Sequence, residues 1–216
     1  MRTLYNQIAN QSLERLAALS DGLFAFAMTL LVLDLRVPAM EAIHFEHDLR
    51  SALVALAPRL LMYLTSFLTL GIFWNGQQTQ LNYLARADRD FTWLHLAFLA
   101  GVTLMPFSTQ LLAQFIQYRT ALLVYWFNIF FLGLMLYISW RYASRNELIK
   151  EDAPLEIRRA IRRRVVLAQG LYALGALLCF INTYWSIGFI LLVQLNYAIA
   201  PRLPWRGRDR GVRNRE

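Results

Sequence analysis

The 216-residue chain has a single cysteine, Cys179, so no disulfide can form within it. That cysteine sits in an apolar run and is expected to be a small buried side chain. Glycine is sparse, at ten residues, and no glycine-rich loop of the kind that cradles phosphate occurs. "GLFAFAM" (Gly22 to Met28) is too apolar and too poor in glycine for a nucleotide fold. Only three histidines are present, without a nucleophile–base set or a spaced metal motif. Two of them fall in "HFEHD" (His44 to Asp48) beside two carboxylates, enough for a metal on paper. Such loop clusters are ordinarily solvated, so no metal or other cofactor is expected. These gaps argue against an enzyme.

Charge is scarce as well, at 17% of residues, whereas 57% are hydrophobic and the mean hydropathy is +0.37. A soluble chain of this length could not bury that much apolar surface. Apolar runs near the length needed to cross about 30 Å of hydrocarbon recur along it. Six spans are predicted, near Arg15–Leu35, Leu53–Trp74, Phe91–Phe115, Ala121–Trp140, Val165–Ile181 and Tyr184–Ala200. They define one all-α membrane domain over residues 1–200, followed by a basic tail at 201–216. The last two spans are short and tightly joined at Asn182-Thr183. Pro58 suits a first helical turn, whereas Pro106, deep in the third span, predicts a kink whose freed carbonyl needs a partner. Asn128, Asn182 and Asn196 are the expected interhelical hydrogen-bond residues. The first run follows a polar segment, with no small-residue cleavage site after it, and is expected to be retained. No second copy of its Ser-Asp-Gly step suggests an inverted repeat.

With six crossings, eighteen of the 22 basic residues fall on one side of the membrane. This bias places both termini in the cytoplasm of a plasma or inner-membrane protein. "RRAIRRRVV" (Arg158 to Val166) and the tail could in principle bind nucleic acid or acidic lipid. Without stacking aromatics or a nucleic-acid module, they read as topology determinants resting near anionic headgroups, and no nucleic-acid partner is expected.

The first span, "RLAALSDGLFAFAMTLLVLDL" (Arg15 to Leu35), carries charge in its opening turns and one hydroxyl, Thr29, in its middle. At 100° per residue, Phe26, Thr29 and Leu33 share a stripe that Leu19 and Gly22 continue. Thr29 could bond its own backbone carbonyl at a helix–helix contact, or the stripe could form a pore wall of apolar constrictions and a hydroxyl layer. Arg15 and Asp21 are six residues apart and do not face each other, so each needs partners from other helices. Trp74, Gln77 and His95 offer donors at the matching ends of the second and third spans, and with Arg15, Ser20 and Asp21 could fix the tilt of the first helix.

"RLAALSDG…TLLVL" resembles the first-helix motif of the transmembrane protein 175 family of endolysosomal and bacterial potassium channels. "YLTSFLTLGIFWNGQQ" (Tyr63 to Gln78) and "WLHLAFLAGVTLMPFSTQLL" (Trp93 to Leu112) are similar to that family's second and third helices. The resemblance implies a six-helix unit that assembles as a homotetramer, with the first helix of each copy lining a central pore. It implies passive potassium conduction without a Thr-Val-Gly-Tyr-Gly filter, which this chain indeed lacks. Carried over residue by residue, the apolar constriction falls on Phe26 and Leu33 and the hydroxyl layer on Thr29. Phe26 stands where the family usually has isoleucine or leucine, Leu19 where it has phenylalanine, Gln77-Gln78 where a His-His pair is frequent, and His95 where it has asparagine. The competing reading is a secondary transporter of a small cation, which would call for ionisable groups near the midplane and broken helices. No span has arginine at every third position, as a voltage sensor would.

Overall fold

The computed structural model describes residues 12–199; the basic tail at 201–216 lies outside them. Within that range the regular elements are helices joined by short loops, and an antiparallel bridge pairs Leu84 with Ile149. Helix α1 (Leu13–Leu30) runs on into a 3₁₀ turn (Leu31–Asp34). A surface helix α2 (Glu46–Ala55) precedes α3 (Ala57–Asn82). Then follow α4 (Arg89–Thr103), α5 (Met105–Gln114), α6 (Arg119–Arg145), α7 (Leu155–Leu177) with a 3₁₀ extension to Phe180, and α8 (Thr183–Ile199). Five helical stretches are long and apolar enough to cross a membrane: Leu13–Asp34, Ala57–Asn82, Arg89–Gln114, Arg119–Arg145 and Leu155–Phe180. Helix α8 is apolar with 17 residues, about 25 Å at 1.5 Å per residue and the short end of a crossing. The protein is an all-α, multi-pass membrane protein.

Several boundaries differ from the expected ones, each for a local reason. The second span starts at Ala57 rather than Leu53, because Pro58 occupies a first-turn position where its missing N–H costs nothing. The preceding residues form α2, whose start is tied by the Asp48 carboxylate accepting from the backbone N–H groups of His44 (3.1 Å) and Phe45 (2.9 Å). Asp48 of "HFEHD" is thereby spent on a helix start, and the described residues contain no group of three metal-ligating side chains. Helix α7 begins ten residues before the expected Val165, since its arginines are good helix formers and extend the helix beyond the hydrocarbon.

At Pro106 the third span is interrupted for a single residue: α4 ends at Thr103 and α5 restarts at Met105, with Leu104 between them still in the right-handed helical region. Asn128 of α6 bridges the break. With its amide nitrogen toward the Gly101 carbonyl (3.0 Å), its oxygen meets the Met105 N–H (3.2 Å) and the Ser108 hydroxyl (3.1 Å). Gly101 is required beside it, because a Cβ there would lie 2.8 Å from the Phe131 ring and 2.9 Å from Leu132. Asn128→Leu should therefore strand the Gly101 carbonyl and the Met105 N–H, costing about 1 kcal/mol. Thermal unfolding of the detergent-purified protein should shift down by roughly 2–4 °C, while Asn196→Leu leaves it unchanged. Asn196 lies on the exposed face of α8, and Asn182 accepts locally from the Tyr184 N–H (2.8 Å). Among the described residues of one chain, neither makes an interhelical bond.

On α8 the interhelical bond comes from Gln194, which donates to the Thr69 hydroxyl (2.6 Å). It closes a buried chain in which Thr109 donates to Ser66 (2.8 Å), Ser66 to the Tyr125 hydroxyl (3.2 Å), and Thr69 lies 3.3 Å from the same oxygen. This chain joins α3, α5, α6 and α8. Lipid gives helices no hydrophobic reason to associate, so such bonds and close packing hold the bundle. The main apolar core surrounds Phe24, Leu70, Phe98, Leu122 and Ile129, with Cys179 buried at its edge. A second cluster around Leu16, Leu84, Phe91, Trp140 and Ile149 closes one end. There, Ala85 N–H donates to Leu148 O (2.8 Å) and Lys150 N–H to Tyr83 O (2.9 Å), pairing the two loops.

Candidate functional site

Helix α1 has two unlike faces. Leu16, Ser20, Phe24, Ala27 and Leu31 are buried against the rest of the chain. Their spacing of three and four residues is that of one helix stripe. On the other face Leu19 is 43% exposed, Phe26 60% and Leu33 69%, and Gly22 and Thr29 are exposed between them. Among the described residues of one chain nothing covers this stripe. Thr29 donates its hydroxyl proton to the Phe26 carbonyl (2.8 Å). The two readings of Thr29 are thus compatible: with its proton committed to the backbone, the oxygen presents lone pairs outward. The 3₁₀ turn at Leu31–Asp34 rises faster than an α-helix, so Phe26 and Leu33 stand roughly 12 Å apart along the axis rather than about 10 Å.

The buried face is held by two adjoining polar clusters near the start of α1. Ser20 is fully buried. Its hydroxyl donates to Leu16 O (2.8 Å), accepts from the Gln77 amide (2.9 Å) and lies 2.8 Å from His95 Nε2. One donor and two lone pairs are then all used if His95 Nε2 carries the proton, and that tautomer is assigned by this accounting. One turn of side chains outward, Asp21 Oδ1 accepts from Trp74 Nε1 and from Gln78 Nε2, both at 2.7 Å. Ser20 therefore ties α1 to α3 and α4, and Asp21 ties it to α3 a second time.

Five of the six expected anchor residues, Ser20, Asp21, Trp74, Gln77 and His95, are thus brought together as two clusters. Arg15 is not among them; its side chain is exposed and lies outside both clusters among the described residues. Gln78 was missed as an Asp21 partner. Its signal is present in the sequence: Gln78 is four residues from Trp74, on the same helix face.

This sequence and fold resemble those of known proteins. A family model described as endosomal/lysosomal potassium channel TMEM175 matches residues 15–106, a segment that contains all nine of the expected site residues. A potassium channel of Chamaesiphon minutus is 31% identical over 189 residues, covering 86% of this chain and 93% of its own. One from Streptomyces collinus is 32% identical over 190 residues, covering 85% and 90%. The crystal structure of a lysosomal potassium-selective channel TMEM175 homolog from Chamaesiphon minutus matches with a TM-score of 0.77 at 29% identity, over 87% of this chain and 97% of that one. Similarity to the endosomal/lysosomal proton channel TMEM175 of Homo sapiens, 35% over 109 residues, spans 48% of this chain and 22% of that protein. The architecture is that of a membrane channel protein, and the chain belongs to the TMEM175 family.

Proposed function

We propose that four copies of this chain assemble around an axis lined by α1 and conduct potassium passively across a plasma or inner membrane, with both termini in the cytoplasm. The observation that carries this reading is the uncovered Phe26–Thr29–Leu33 stripe, on a helix whose opposite face is pinned by Ser20. Phe26 and Leu33 are the apolar constrictions, and rings this narrow close a pore by excluding water. Thr29 is the selectivity layer, where outward lone pairs replace part of the hydration shell of a weakly held cation. Ser20, Asp21, Trp74, Gln77 and His95 set the rotation of α1, without which the stripe would not face the axis; Arg15 stands at the helix entrance. Potassium is the permeant ion, and the reading needs no cofactor. Relatives named as potassium channels support it.

The test is flux in proteoliposomes under a potassium gradient, paired with the mass of the purified assembly. Passive, uncoupled potassium flux from a particle of four chains is expected. Obligatory coupling to protons or sodium would identify a secondary transporter instead, and a purely monomeric particle would remove the shared axis.

A further inference from the structure

The arginines at the start of α7 do not all serve one purpose. Arg158 is committed to its own loop: Nε donates to Ala153 O (3.2 Å), a terminal nitrogen donates to Lys150 O (3.1 Å), and its carbonyl accepts from Trp140 Nε1 (3.2 Å). It thereby forms one wall of a cavity of about 460 Å³ between the end of α6 and the start of α7. Arg159 and Arg162 line that cavity from α7, Arg141 and Arg145 line it from α6, and no aspartate or glutamate does. The His47–Asp48 and Glu46–Arg50 ion pairs lie elsewhere, on α2. Four guanidinium groups sharing a cavity without a carboxylate repel one another unless an anion sits among them. Guanidinium matches phosphate with paired, charge-assisted hydrogen bonds, and Ser144 adds a hydroxyl to the wall.

The same helix face indicates where the anion comes from. Arg159 and Arg162 are followed at helical spacing by Val166, Gly170, Leu174 and Leu177, all exposed. A Cβ placed on Gly170 would meet nothing within 4 Å. From Arg162 to Leu177 this face spans roughly 22 Å, longer than the about 15 Å half-thickness of the hydrocarbon core. A soluble phosphate would use the arginines and leave that apolar track idle.

We propose that the cavity binds the phosphate headgroup of an anionic phospholipid, with its acyl chains lying along Val166–Leu177 of α7. Basic pockets between membrane helices are suited to such headgroups. Without a lining carboxylate the arginine charge is not offset within the cavity, so a headgroup with net negative charge is favoured over a zwitterionic one. The site bridges α6 and α7, and its occupancy does not depend on which ion the protein conducts.

The experiment titrates the detergent-purified full chain with phosphatidylglycerol, phosphatidylcholine or inorganic phosphate, reading bound lipid by native mass spectrometry and thermal stability in parallel. Phosphatidylglycerol should stay bound and raise the unfolding temperature, and the other two should not. Removing each arginine should weaken phosphatidylglycerol roughly fivefold, so Arg159→Gln with Arg162→Gln should lose about 25-fold. Arg163→Gln, off the cavity, should behave like the parent. If the α7 pair fails to fold, Arg141→Gln with Arg145→Gln removes the opposite wall and should give the same loss. Equal retention of phosphatidylcholine, or unchanged phosphatidylglycerol binding in the substituted proteins, would overturn the site. Equal protection by inorganic phosphate would overturn the lipid as its occupant. None of these readouts uses ion flux, so their failure is distinct from failure of the conduction proposal.

Discussion

Leu33→Ala or Phe26→Ala should raise resting potassium flux, and Thr29→Val should keep flux while drawing the potassium-to-sodium ratio toward unity. The two effects differ because the residues contribute different things to the same stripe. A ring of bulky apolar side chains disfavours water, and an ion cannot pass a dry constriction without losing its hydration. Shortening Leu33 to a methyl widens the ring. A barrier lower by about 1.4 kcal/mol is a tenfold gain in rate, and a tenfold rise in liposome flux is the expected scale. Thr29→Val conserves volume and removes only the hydroxyl, which already donates to the Phe26 carbonyl; what disappears is an outward acceptor. Leu31→Met, which keeps volume on the buried face of α1, should change neither property. Equal effects on and off the stripe would show that α1 does not face the conduction path.

Ser20→Ala should be the most destabilising single change in the anchor. Its hydroxyl accepts from Gln77 and is contacted by His95 at 2.8 Å, so removing it takes the shared acceptor from two buried donors. Each stranded donor costs about 1–3 kcal/mol, and a total of about 2–4 kcal/mol should lower the unfolding temperature by roughly 5–10 °C. The informative control replaces the partners as well. Ser20→Ala combined with Gln77→Met and His95→Phe exchanges every polar group for an apolar one and should recover much of the loss. If the single change loses stability and the triple restores it while potassium flux remains low, the cluster orients α1 in addition to holding it. A Ser20→Ala protein as stable as the parent would show that the two donors find other acceptors.

How much of this was legible beforehand depended on whether the physical rule was local. A hydrocarbon solvent acts on composition over about 20 residues, so the spans and the all-helical class follow from the chain alone. Helical periodicity is local too, and it placed Phe26, Thr29 and Leu33 on one stripe before any neighbour was known. The rule that intramembrane charges need partners singled out Asp21, and it found Trp74 by requiring a donor at the matching end of another span. It failed for Arg15 and overlooked Gln78, because which of several donors at one level reaches a carboxylate depends on helix rotation.

The amino-acid sequence by itself determined the membrane setting, the family motif and the two-faced character of α1, since each is written in residues less than about two turns or one span apart. Only the tertiary structure decided that Asn128 bridges the break at Pro106 while Asn196 faces outward. It alone paired Gln194 with Thr69, 125 residues away, and gathered arginines from α6 and α7 around one cavity. These outcomes turn on the relative rotation and depth of helices. Close packing against residues such as Gly101 sets both, and hydropathy does not encode them.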